Sequence, residues 1–114
     1  MKRTAIAKAQ LHINGKCVGN VLVHGWEGSW GFGQFQPNDQ FTEFAMLFGR
    51  WSLLMHAADD EKHLPDAASE ELRRAEYEID ALKAKLLLTE TKEWRDVAQV
   101  NIDGSLIEWK EKYG

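Results

Sequence analysis

The chain has 114 residues, 44% of them hydrophobic and 28% charged, which is enough apolar material for one core without covalent staples. Fourteen basic against eighteen acidic side chains leave a formal charge of −4, which removes any general attraction to a phosphate backbone and argues against nucleic acid as a partner. No run approaches the ~18 apolar residues of a membrane span. The basic start Met1-Lys2-Arg3 lacks the apolar stretch of a signal peptide. The lone Cys17 cannot form an internal disulfide. A cytoplasmic protein, with residues 1–114 as one domain, is the expectation.

Leu11 and Ile13 alternate with Gln10, His12 and Asn14, and Asn14-Gly15 is the strongest short signal for a two-residue hairpin turn. That turn predicts Ile13 opposite Lys16 and Leu11 opposite Val18. The apolar parity then changes to Val21 and Val23, which predicts a β-bulge at Gly19-Asn20, with a plain turn there as the alternative. Residues 25–36 read as a strand with Trp30 and Phe32 on one face and Gly31 and Gly33 on the other. Bare backbone in a strand marks the close approach of a ligand or of another part of the fold, and packing is the preferred reading.

Pro37-Asn38-Asp39 ends the strand and offers a helix N-cap. Phe41, Phe44, Ala45, Phe48, Trp51 and Met55 follow at helical spacing, while Met46, Leu47, Leu53 and Leu54 make the remaining sides apolar. Such a helix is central or is covered by a partner chain. Gly49 costs it about 1 kcal/mol against alanine and marks a close approach of another element. Residues 59–65 read as a polar loop, after which Asp66 or Ser69 caps a second helix. Ala68, Leu72, Ala75, Ile79, Leu82 and Leu86 give that helix a narrow apolar seam, which suits a surface helix lying on the core, or one pairing across a dimer.

At the C-terminus Asp103-Gly104 predicts a second hairpin. It pairs Val100 with Ile107, Ala98 with Trp109 and Trp94 with Tyr113 on the core face, and leaves Arg95 and Val97 on the wet face. The predicted order is β-β-β-α-α-β-β. An α+β fold follows, with an antiparallel sheet of hairpins and both helices packed on one face.

Catalytic signatures are sparse. No Gly-Lys-Ser/Thr follows Gly25, Gly28, Gly31 and Gly33, so no phosphate loop is predicted. His56, Asp59, Asp60 and His63 are suitable ligand types, but their spacing matches no established metal site, and neither metal nor cofactor is expected. Cys17 faces His12 in the proposed hairpin and also has His24 nearby, yet an inert cysteine is the preferred reading. Acid–base work by His24, Glu27 or Glu43 is weighed beside it.

The best binding candidate is the aromatic segment Trp26, Glu27, Trp30, Phe32, Gln34 and Phe35, joined by Arg50 and Trp51 from the first helix. Rings beside glycine can stack a base or a sugar, and arginine adds anion or cation–π contacts. A core role is expected for at least two of Trp30, Phe32 and Trp51. The chain holds five tryptophans, where usage on the order of 1% is ordinary. That excess favours a non-catalytic protein-interaction protein, self-associating into a homo-oligomer, of an adaptor or toxin-neutralising kind, whose acidic charge steers it to a basic partner. The alternatives are a small-molecule binder using the aromatic strand, and a small hydrolase using His24, Glu27, His56 or Cys17.

Overall fold

The computed structural model describes residues 6–60 and 65–112. It contains β1 (Ala7–Ile13), β2 (Lys16–Glu27), β3 (Trp30–Pro37), a 3-10 turn (Asp39–Phe41), α1 (Thr42–Asp60), α2 (Asp66–Ala81), β4 (Ala84–Leu88), β5 (Trp94–Asp103) and β6 (Leu106–Glu111). The strands close into an antiparallel barrel in the order β1-β2-β3-β6-β5-β4.

Closure corrects the expected open sheet with two helices on one face. The strand that closes the barrel is β4, which pairs with β1 from Ala9↔Leu88 to Ile13↔Ala84 and with β5 from Ala84↔Val97 to Leu87↔Trp94. The helical seam conceals it in the sequence. Leu82 and Leu86 continue the spacing of α2, yet α2 ends at Ala81, Leu82 is its extended C-cap, and Ala84 and Leu86 are inward residues of a strand. Over five residues the two periods cannot be told apart.

The first hairpin forms as its turn demands. Asn14 and Gly15 both have positive φ, 52° and 83°, as a type I′ turn requires, and Ile13 pairs with Lys16. The bulge lies one position earlier than expected. His12 pairs with Cys17 and Leu11 with Gly19, leaving Val18 as the extra residue, and β2 runs straight through Gly19-Asn20. A second irregularity between Val23 and Gly25 leaves His24 without a partner on β3.

The C-terminal hairpin is shifted. Its turn residues are Gly104 and Ser105, with φ of 61° at Gly104, so Asp103 pairs with Leu106 and Ile102 with Ile107 rather than Val100. Glycine at the first turn position suits type II′. A shift of two residues keeps the inward faces of Val100, Ile107 and Trp109. Beyond Val100 the faces flip, because Gln99 adopts φ of 49° at an irregularity between Ala98 and Asn101. Val97 therefore points inward and Trp94 is 52% exposed, the reverse of the expectation. Tyr113 lies outside the described residues.

One barrel end gathers the β1–β2 turn, the end of β3, the start of β4 and the β5–β6 turn. The helices cross this end. Asn38 caps the 3-10 turn by accepting from Gln40 N at 2.8 Å, Phe41 meets Phe35 edge to face at 5.0 Å, and Phe44, Phe48 and Trp51 are buried. The N-cap of α2 is Pro65 with no side-chain cap bond; Asp66 stands in the first turn instead. α1 runs on through Asp60, so residues 59 and 60 are not loop, and residues 61–64 of that expected loop lie outside the described residues.

The interior is filled by side chains, as a barrel this narrow requires. Trp109, Leu11, Ile13, Val21, Val23 and Leu86 are almost wholly buried. Gly31 and Gly33 face inward, and a Cβ on Gly31 would collide with the Trp109 indole. Here the close approach read from the strand glycines is packing within the fold. Among the described residues no helix is long and apolar enough to cross a membrane.

Candidate functional sites

The expected aromatic site divides among four places. Phe35 and Trp51 belong to the core, at 2% and 8% exposure. Trp26 turns to the barrel end away from the helices, where its Nε1 donates to Glu111 Oε1 at 2.9 Å. Arg95 donates to both Glu111 oxygens at 3.1 and 3.0 Å, and its guanidinium stands 5.7 Å from the Trp26 ring centroid. Burial acts to lower the Arg95 pKa, and the hydrogen bonds and charges of Glu111 and Glu93 outweigh it, so the guanidinium is held above its ordinary value. Glu111 is the buried charged residue of the described core, at 7% exposure. This cluster is a lock between β2, β5 and β6.

Trp30, Phe32 and Gln34 stay together on the outer face of β3. Trp30 and Phe32 are half-buried there rather than core, so Trp51 alone of the expected three fills the interior. Phe32 lies over Gly25, and a groove of about 530 Å3 runs past it, lined by His24, Gln34, Asn101, Leu106 and Glu108 and reaching Trp51. The buried His24 Nδ1 has no hydrogen-bond partner among the described residues. Glu27, Trp30 and Glu108 border a second depression of about 420 Å3 beside Phe32. Two carboxylates around a ring suit a cation or a hydroxylated ligand. Arg50 is elsewhere, donating to Glu78 Oε2 of α2 at 2.8 Å.

The four residues weighed for hydrolysis are not brought together. Cys17 and Glu27 stand at opposite ends of β2, roughly 30 Å apart by strand rise. His24 lies in the outer groove, and His56 Nε2 is 2.8 Å from Asp103 Oδ2. His12 and Cys17 are cross-strand neighbours, but His12 Nε2 lies 3.3 Å from Gln10 Oε1, while Cys17 Sγ reaches Gly19 O at 3.9 Å. Of the four residues weighed as metal ligands, His63 lies outside the described residues.

Two further surfaces stand out, of which the sequence signals the first and not the second. On α1, Met46 is 87% and Leu53 75% exposed, and between them nothing lies within 4 Å of where a Gly49 Cβ would be. Among the described residues, then, no other element approaches Gly49. The second surface runs across β1, β4 and β5, where His12, Asn14, Lys83, Lys85 and Trp94 line a groove of about 780 Å3. The residue that could have signalled it, Trp94, is turned inward by the simple hairpin register.

The fold thus defines a small antiparallel barrel closed at one end by a helical hairpin. Comparison with protein-family models, with curated proteins and with solved structures gives no match to the chain.

Proposed function

We propose that this chain is a non-catalytic interaction protein that pairs with a second copy of itself through the outward face of α1. The observation that carries the reading is the pair of large apolar side chains, Met46 and Leu53, standing in solvent on either side of the uncovered Gly49. Helical spacing puts Met46, Gly49 and Leu53 on one stripe, opposite the buried Phe44, Phe48 and Trp51. Two large apolar side chains exposed on one helix stripe, with glycine between them along it, support an interaction surface.

The stripe is self-complementary. In an antiparallel crossing about Gly49, Met46 of each copy falls against Leu53 of the other, and glycine lets the backbones approach. The same crossing sets the start of α1, where Glu43 meets Lys16 of β2 at 2.7 Å, over its later turns, where His56 meets Asp103 of β5. A single helix face lies near the lower bound of specific interfaces, about 1,000 Å2 in total, so the pair is weak, with a dissociation constant on the order of micromolar or above. The lone free Cys17 and the acidic charge suit a cytoplasmic setting.

Sedimentation velocity from micromolar to millimolar concentration tests this. A monomer–dimer equilibrium is expected, abolished by Met46→Glu with Leu53→Glu while far-ultraviolet circular dichroism is unchanged. A wild-type chain that stays monomeric throughout that range rules the reading out.

A further inference from the structure

We infer that the outer groove across β1, β4 and β5 is a binding site for a free nucleotide, its base held against Trp94 and its phosphate between Lys83 and Lys85. The inference goes beyond the pairing of α1, which involves none of these residues.

The groove differs in charge from the rest of the molecule. The chain carries −4 overall, yet the lining contains two lysines and no carboxylate. Lys83 makes no ion pair within 4.0 Å among the described residues, and Lys85 has only Asp96, at 3.8 Å with both side chains more than half exposed. A pair this long and this wet is weak and leaves the ammonium free to exchange partners. Lys83 and Lys85 are two residues apart along the extended segment that enters β4, so both point to the outer face. Two ammonium groups on one side of a groove favour an anion.

The other wall is aromatic. Trp94 is half exposed on an outer strand face, whereas Trp109 and Trp51 are buried and Trp26 is bound to Glu111. His12 meets Trp94 edge to face, with centroids 4.8 Å apart and planes at 72°. That contact fixes the indole plane in advance, which reduces the entropy lost when a flat ligand stacks on it. Burial lowers the His12 pKa below its ordinary value, so at neutral pH its ring is uncharged and the lysines supply the positive charge.

The floor is rigid and offers a directed donor. Asn14 N donates to Lys83 O at 2.8 Å, and Lys83 N donates to Asn14 Oδ1 at 3.0 Å, locking the β1–β2 turn to the start of β4. With its oxygen so engaged, the Asn14 amide nitrogen is left to donate to a ligand oxygen. A space of about 780 Å3 lies within the roughly 300–1,000 Å3 of small-molecule sites. A flat ring, two cations and an amide donor around it match a base joined to a phosphate. A single-stranded nucleic acid would share these contacts, but the chain's net charge of −4 opposes the approach of its further phosphates.

The test is a titration of the full chain followed by two-dimensional nuclear magnetic resonance, with AMP, adenosine, inorganic phosphate and a single-stranded deoxyoligonucleotide as separate probes. AMP is expected to shift the Trp94 indole resonance and the amides around Lys83 and Lys85, saturating with a dissociation constant on the order of 0.1 mM. Adenosine and phosphate alone are each expected to bind more weakly. Trp94→Ala, and Lys83→Ala with Lys85→Ala, should each weaken AMP at least about tenfold. These side chains are exposed, so the variants are expected to keep the wild-type spectrum elsewhere. The inference is overturned if 10-fold excess over that concentration of AMP leaves Trp94 unmoved, or if phosphate alone matches AMP. It is also overturned if the oligonucleotide binds a hundredfold more tightly than AMP.

Discussion

Gly31 and Trp109 sit opposite each other on β3 and β6, and the indole occupies the space a side chain at Gly31 would need. The indole Nε1 is buried without a hydrogen-bond partner among the described residues, so this ring is held by packing alone. Gly31→Ala therefore forces a fully enclosed side chain to move, at a cost of about 1–3 kcal/mol. Urea denaturation should show that loss, and Trp109→Leu in the same chain should recover part of it, a coupling that distant sites do not show. Independent, additive losses would mean that the ring and the glycine do not compete for one space. The alternation of rings and glycines made a close approach at this strand legible in the sequence. Which ring approaches was not legible, because Trp109 lies 78 positions away and its partner depends on strand order.

At the scale of elements, α1 is tied to the β5–β6 turn through one carboxylate. Ser52 Oγ donates to Asp103 Oδ1 at 2.7 Å, and His56 lies on Oδ2 at 2.8 Å. The Ser52 hydrogen bond is the main cause that holds the Asp103 pKa below its ordinary 3.8; burial opposes it, and the hydrogen bond and charge of His56 reinforce it. A carboxylate with a depressed folded pKa adds stability above its unfolded value and loses it as pH falls through the folded one. The urea midpoint of the wild type is thus expected to drop more steeply below pH 3.8 than that of Asp103→Asn, measured at matched ionic strength. Equal slopes would show that the tie carries no proton linkage.

The same turn explains why the C-terminal hairpin was only half legible. Its presence follows from Asp103-Gly104. Its register depends on which two residues form the loop, and its far half on a bulge at Gln99 that carries no strong local signal. For that reason the sequence puts Trp94 on the core face and gives no sign of the groove it lines. The aromatic segment shows the opposite case. Phe35 shares strand parity with Gly31 and Gly33, so its inward position was already written in the period of two that puts Phe32 outside.

For the whole molecule, the two barrel ends are closed by different means. The helices close one with Phe44, Phe48 and Trp51. At the other, Glu111 gathers Trp26 and Arg95 from two further strands. Glu111→Ala leaves the indole N–H and a guanidinium without their acceptor. Arg95 is 34% exposed, so water recovers part of the loss, and a cost of about 1–3 kcal/mol is expected rather than the larger value of a fully buried pair. Glu111→Gln keeps an acceptor for Trp26 and should cost less. Thermal unfolding of the two variants distinguishes them: equal melting temperatures would show that the acceptor kept for Trp26 contributes nothing, while a Glu111→Gln variant as stable as the wild type would show the same of the charge.

Local features were determined by the sequence itself: the Asn14-Gly15 turn, the Asn38 cap, the helical period of α1 and the inward faces of β1 and β6. Each rests on steric or periodic rules that act within a few residues. Closure of the barrel was decided only in three dimensions. It depends on a five-residue β4 finding β1 some seventy positions earlier, and so brief a strand has too little period of its own to be separated from the helix before it. The surfaces followed from that closure. Once β4 completed the barrel, Lys85 and Trp94 came beside His12, and the helices crossing the end turned Met46 and Leu53 to solvent.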